Sequence, residues 1–431
     1  MTTTGPDTAT SGPETPASGP ETPTSGPGTE VARPDRGARR DPLTARLRRR
    51  SGSLLVVAFA LLLTVPWLLG GRTGGATENR ASQPMPSIGA HDVLNEKIYR
   101  QVDAALRDRL TLRADLIQAV AASGYDTAGL SLNKRVHAGQ NDELFIADDF
   151  TNPCEDKLDV NRLAQGLRDL SARSGNRPGA VTFVLAPDKS SVLSDELGPL
   201  GGVLLRCSDV QRGRIERLAA AEPGRVIDLF PKAVAMRAAE PGAELYTKVD
   251  THWTPHLASI YGSTLVPRLA QQTGAAGVRW SDPVAQGTVT YGDLLAVLGV
   301  GPRQEVRDEL VSLRPNAVTT RTQIPVPGAR QIWVTRTTGA PVIGGRTLFV
   351  YDSFTGKRGF GNDYSAPQLI PYFGDATWVH WNDVKKLIAS GRMPKVDRIV
   401  LESVQRGVGG VVDDIFLDPT VAAGLRTALT P

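Results

Sequence analysis

Alternating strand and helix signals along most of the chain predict an α/β fold in which a largely parallel sheet is covered by helices on both faces. Two observations carry this reading. Short apolar runs of strand length recur at residues 181–186, 225–230, 347–351, 377–381 and 398–402. The stretches between them are long enough for crossovers, and two have helical periodicity: 160–170, and 257–273 with Leu257, Ile260, Tyr261, Leu265 and Leu269 on one side. Residues 278–345 are richer in Gly, Pro and Thr, and the run 331–336 suggests a hairpin there.

The 431 residues divide unevenly. Residues 1–50 open on a Pro- and Gly-rich near-repeat without large apolar side chains, which cannot bury enough surface to offset its ordering entropy, so this segment reads as a disordered cytoplasmic tail. Residues 51–71 read as a transmembrane anchor. The apolar run 53–69 covers about 26 Å as a helix, the short end of what spans a bilayer. Arg46, Arg48, Arg49 and Arg50 precede it and Arg72 follows, which places the N-terminus inside a cytoplasmic membrane and the body outside, in single-pass topology. A cleaved signal peptide is the rival, but its n-region would be far too long. Residues 72–87 form a linker of Gly, Ser, Pro and Asn, and residues 88–431 form the folded body.

The net charge is +4, of which the first fifty residues, with eight Arg against six acidic residues, supply about half. The remainder is nearly balanced, which argues against a nucleic-acid partner. Cys154 and Cys207 are too few for a disulfide framework and are not spaced as zinc ligands; a single bridge and two unpaired thiols both fit.

The stretch Lys248-Val-Asp-Thr-His-Trp-Thr-Pro-His256 concentrates chemistry. A metal site on His252 and His256 is disfavoured, because Pro255 lies between them and no Glu flanks His252. Asp250 and His252, two residues apart in an extended or looped segment, point to the same side, so the carboxylate can orient the imidazole and stabilise its cation. Thr254 as N-cap and Pro255 at the first helical position then begin a helix. The nucleophile candidate is Ser353, where the apolar run 347–351 ends on Asp352-Ser353 at a turn. A serine at the carboxyl end of a sheet strand sits where α/β proteins bind ligands, and the N–H groups that follow can serve an oxyanion.

Together the two motifs resemble the SGNH hydrolase-like family of the alginate acetylation proteins AlgX and AlgJ. Lys248-Val-Asp-Thr-His-Trp-Thr-Pro255 is similar to the family's D-x-H-W-T-P motif, and Tyr351-Asp-Ser-Phe-Thr355, about a hundred residues later, to its G-D-S-F motif. The resemblance extends over roughly 90–431 through Asp108–Arg113, Val184-Leu-Ala-Pro-Asp-Lys-Ser-Ser191 and Val400–Arg406. It implies a three-layer SGNH-like (flavodoxin-like) domain over 88–431 with Ser353 as nucleophile, His252 as general base and Asp250 as its orienting partner. It implies no cofactor or metal, a polysaccharide acceptor, and a membrane protein that donates the acetyl group. Tyr351 replaces the family's Gly, and His256-Leu257 its Gly-Ala. The leading expectation is a membrane-anchored extracytoplasmic O-acetyltransferase working through acetyl-serine. An acetylesterase with the same triad and a non-catalytic glycan-binding or assembly protein are the alternatives. Gly359–Asp363 reads as a Gly-Asn turn rather than an oxyanion block around Asn362. Tyr364, Arg406, His91, His137 and His380 read as packing residues on the surface or in the core.

Overall fold

The computed structural model describes residues 85–87, 96–109, 119–120, 122–124, 131 and 133–430, apart from 156–157, 301–303, 330–331, 357–364 and 413–417. Among the described residues no helix is long and apolar enough to cross a membrane. The run 53–69 and the tail before it lie outside them, as do His91, Asn362 and Tyr364.

In chain order the elements used below are α1 (Glu96–Arg109), β1 (Val136–Ala138), β2 (Leu144–Ile146), α2 (Asp148–Glu155), α3 (Val160–Arg173), β3 (Val181–Ala186), the short α4 (Lys189–Val192), α5 (Arg206–Ala221), β4 (Val226–Asp228) and α6 (Pro255–Thr273). They continue with β5 (Val284–Tyr291), α7 (Asp293–Leu298), β6 (Glu305–Val311), β7 (Val318–Ile324), β8 (Ile332–Thr338), β9 (Ile343–Tyr351), β10 (Phe373–His380), β11 (Arg398–Val404) and α8 (Pro419–Ala428). Each of the five strands and both helices expected from the periodicity is present. The expected hairpin is the antiparallel pair β7–β8. The Gly- and Thr-rich region also holds a ribbon, β5 with β6, whose mostly exposed residues gave no apolar signal.

The central sheet runs β4-β3-β11-β9-β10-β8-β7. Its first five strands are parallel, and β8 and β7 close one side antiparallel. Counted along the chain, the parallel strands follow the order 2-1-5-3-4, whereas a flavodoxin-like sheet runs 2-1-3-4-5. The last strand, β11, has entered between the first and third. This is an α/β domain with a mostly parallel sheet, and its two layers of packing explain why the strands read as continuous apolar runs. Val184, Ala186, Phe349 and Tyr351 face one core with Leu257, Ile260 and Tyr261 of α6. Phe183, Leu185, Leu348 and Val350 face the other, with Leu163 and Leu167 of α3, Ile215 of α5 and Leu425 of α8.

Cys154 of α2 and Cys207 of α5 are joined in a disulfide that closes a loop of 53 residues. Constraining a loop of this size in the unfolded chain stabilises the fold by about 4 kcal/mol on the chain-entropy account. The double variant C154S/C207S is therefore expected to unfold at markedly lower urea concentration than the parent, with an unchanged transition indicating that the bridge contributes nothing.

Candidate active site

Three adjacent strands, β3, β11 and β9, end on the same edge of the sheet and deliver Pro187–Lys189, Gln405-Arg406 and Asp352-Ser353 to it. Onto this edge folds the loop 247–254. Tyr246 and Trp253 form an antiparallel bridge across it. The Thr254 hydroxyl accepts the N–H of Leu257, so the loop ends in the capped, Pro-initiated start of α6 that the sequence predicts.

Within the loop the buried Asp250 and His252 meet. His252 Nδ1 lies 2.6 Å from Asp250 Oδ1, and that same oxygen accepts the His252 N–H at 3.0 Å. Asp250 Oδ2 accepts the N–H groups of Gly292 and Asp293 at 2.8 and 3.0 Å. Gly292 adopts φ 143°, a region that favours glycine. The carboxylate is thus fixed by three backbone donors, one on Oδ1 and two on Oδ2, and Oδ1 also meets the ring. Such a dyad holds an imidazole in one orientation and stabilises it once protonated.

The loop itself is pinned from below by Lys189. Its Nζ donates to the carbonyls of Thr247, Lys248 and Asp250 at 2.7, 2.9 and 3.4 Å and pairs with Glu143 at 2.8 Å. Burial lowers the pKa of this ammonium, and Glu143 opposes the shift.

Ser353 sits half-buried in the turn after β9. Asp352 shapes that turn: its Oδ1 accepts the Phe354 N–H at 2.8 Å and its Oδ2 the Val404 N–H at 2.7 Å. Its backbone carbonyl accepts the N–H groups of Thr355 and Gly356. The expectation that the N–H groups after Ser353 face an oxyanion is therefore corrected for Phe354, Thr355 and Gly356, which are drawn back into the turn. Beneath lies Glu402 of β11, whose Oε2 accepts from Asp352 N and Thr355 Oγ1 at 3.0 and 3.1 Å. Burial and then the charge of Asp352 push the Glu402 carboxyl well above the usual range.

The two motifs are brought together at Phe354. Its ring lies 5.2 Å from that of His252 and 5.3 Å from that of Trp253, and its carbonyl accepts the Trp253 indole N–H at 2.7 Å. On Phe354's ring, 5.3 Å away, lies the guanidinium of Arg406. Arg406 is not a surface packing residue as the sequence suggests. It pairs with Asp188 at 2.5 Å and Asp149 at 3.1 Å, both buried, which a strand-end arginine reveals only once α2 is folded against it. Burial alone would lower its pKa; the pull of Asp188 and Asp149 outweighs that and raises it.

Residues 136–330, which include Asp250 and His252, match the family described as "SGNH hydrolase-like domain, acetyltransferase AlgX". Over these residues the chain is similar to the AlgX-type SGNH hydrolase-like family. The O-acetyltransferase domain of Pseudomonas putida AlgJ shares 16% identity and a TM-score of 0.44, over 68% of this chain and 98% of that one. Bacillus cereus PatB1 with a sulfonyl adduct shares 14% identity and a TM-score of 0.45, over 64% and 98%. Pseudomonas aeruginosa AlgX shares 17% identity and a TM-score of 0.40, over 68% and 70%. A comparison with curated proteins gave no match.

In this SGNH-like domain the departures from the family motif have visible consequences. Tyr351 is buried at the end of β9, with its ring 6.4 Å from Trp378 and 6.0 Å from His380. His256 leaves the site and meets Glu240 on the surface at 2.8 Å. Asp250, His252 and Asp293 cluster closely enough to ligate a cation. Their carboxylates, however, accept N–H and O–H donors, whose dipoles oppose a metal ion; the geometry is that of an oriented base. Sequence reasoning missed Asp293, Lys189, Glu402 and Asp149. A signal existed for Glu402, a carboxyl at the end of the apolar run 399–401, and for Lys189, a charge three residues beyond the apolar run 181–186.

Proposed function

We propose that the protein is an O-acetyltransferase that acts on a cell-surface polysaccharide through an acetyl-serine, held by residues 51–71 at the outer side of the cytoplasmic membrane. The observation that carries this is the 2.6 Å contact of Asp250 with His252, beside a strand-end serine whose neighbour Phe354 packs on that imidazole. The family's description as an acetyltransferase supports the transferred group. The disulfide supports an oxidising, extracytoplasmic compartment for the domain.

His252 takes the Ser353 proton as Ser353 Oγ attacks the donor's acetyl carbonyl, and it returns that proton to the leaving group as the tetrahedral intermediate collapses. With the N–H groups of residues 354–356 engaged in the turn, this reading assigns the developing oxyanion to the Ser353 N–H. A sugar hydroxyl then gives its proton to His252 and attacks the acetyl-serine; Ser353 leaves and recovers the proton. A membrane protein would supply the acetyl group. The alginate acceptor of AlgX and AlgJ marks the class of substrate rather than this chain's own glycan.

The test uses the full-length chain with a chromogenic acetyl ester, with and without an oligosaccharide acceptor. Expected are a gain of one acetyl group on the peptide carrying Ser353 and acetylated oligosaccharide. Free acetate alone, with acceptor present, would make the protein an esterase. Glycan binding without adduct or turnover would make it a binding protein.

A further inference from the structure

We propose that Asp293 is a second positioning carboxylate for His252, which meets the same ring nitrogen as Asp250 and sustains part of its function when Asp250 is lost. The proposal rests on the Ser353-His252-Asp250 reading above. Asp293 begins α7, directly after the ribbon strand β5, and it approaches the loop 247–254 from an element remote in sequence from either motif. Its Oδ2 lies 3.4 Å from His252 Nδ1. The same oxygen accepts the Thr251 hydroxyl at 2.8 Å, and that hydroxyl is 3.2 Å from Nδ1. Its Oδ1 accepts the Thr251 N–H at 2.9 Å. One imidazole nitrogen therefore faces two carboxylates, one at hydrogen-bond distance and one just beyond it, with a threonine hydroxyl bridging the second.

The placement is built by packing. Leu294, Leu295, Val297 and Leu298 of α7 are buried with Val249, Val136 and Leu144 in a small core of their own. The Leu294 N–H donates to the Val249 carbonyl at 3.1 Å. The backbone of Gly292 and Asp293 meanwhile holds Asp250. α7 thus organises both carboxylates at once, one through its backbone and one through its first side chain.

The charge on Asp293 acts on the protonated base that forms during each half-reaction. A carboxylate 3 to 4 Å from an imidazolium favours that cation, the more so at a site largely closed to water. Among the described residues the other charged or titratable groups facing the dyad are few. The Lys189 ammonium reaches the Asp250 carbonyl from α4 with its charge paired to Glu143. The Tyr291 hydroxyl donates to the Trp253 carbonyl from the end of β5. Arg406 lies behind the Phe354 ring with its charge on Asp188 and Asp149. Of the groups in reach of Nδ1, the two carboxylates are the ones that carry a negative charge.

The experiment measures the pH–rate profile of chromogenic acetyl-ester turnover by the full-length chain and its D293N, D293E, D250N, D250N/D293N, S353A and H252A variants. D293N is expected to lower kcat about tenfold and to move the acid side of the kcat/KM profile to lower pH by about one unit, because the imidazolium loses a neighbouring anion. D293E, which restores the charge, returns the acid side toward the parent. D250N keeps measurable turnover, and D250N/D293N loses about another tenfold. A D293N enzyme with parental kcat and an unmoved profile, beside inactive S353A and H252A, overturns the role of Asp293 and leaves the triad standing. A lowered melting temperature with an unmoved profile overturns it too, by making Asp293 merely structural. If S353A and H252A turn over at the parental rate, the triad reading itself has failed.

Discussion

Replacing Ser353 by alanine is expected to lower acetyl-ester turnover by about four orders of magnitude or more, to a residue supplied by binding and oxyanion contacts alone. The size of the effect follows from the coupling of the groups. On the proposed reading, Ser353 is a weak nucleophile unless His252 accepts its proton, and His252 owes most of its competence as a base to the orientation that Asp250 imposes through the 2.6 Å contact. Members of such a unit fail together, so S353A and H252A are expected to cost similar amounts and the double variant S353A/H252A no more than either alone. If the two changes instead multiplied, or if S353A left the rate intact, the serine and histidine would not be one machine. Initial rates on a chromogenic acetyl ester, with melting temperatures of each variant to confirm folding, make the measurement.

The contrast between what the sequence revealed and what it hid follows from the range of the interactions. Strands buried on both faces betray themselves as apolar runs, so β3 and β11 are found from residues 181–186 and 398–402 alone. A local dyad such as Asp250 and His252 is equally legible, since two residues of spacing fix their common direction, and the start of α6 at Thr254-Pro255 is written in capping chemistry. What stayed hidden depends on distant chain. Asp293 reaches His252 across 41 positions because β5 and α7 fold back over the loop, and the exposed residues of that ribbon leave no pattern to announce it. Strand order is hidden for the same reason: nothing local places β11 between β3 and β9. The disulfide belongs here as well, since only the packing of α2 on α5 brings Cys154 to Cys207. The anchor at residues 51–71 stays an inference from apolar length and arginine bias.

Arg406 gives the clearest case in which burial reverses a sequence expectation, and R406M is expected to destabilise the domain by about 3–5 kcal/mol at neutral pH. A surface arginine replaced by a side chain of similar length would cost within about 0.5 kcal/mol. The difference arises because Asp149 and Asp188, each 1% exposed, would be left without their shared cation. The penalty depends on pH with a definite sign. Burial, and after it the charge of Asp149, hold the Asp188 pKa well above its usual value of 3.8, and Arg406 opposes this only in part. A carboxyl raised on folding contributes stability that is fully present below its unfolded pKa and is lost as pH rises through the folded value. Removing Arg406 takes away the opposing charge and raises that folded value further. The deficit of R406M should therefore be largest near neutrality and shrink on acidification toward pH 4, where Asp188 can take up a proton in place of its lost partner. Urea unfolding of parent and variant at pH 7 and pH 4.5 tests this: a deficit that grows on acidification would contradict it. Because the Arg406 guanidinium also lies over the Phe354 ring that abuts His252, R406M should lose turnover as well as stability, and R406K, which keeps the charge but not the planar fork, should fall between.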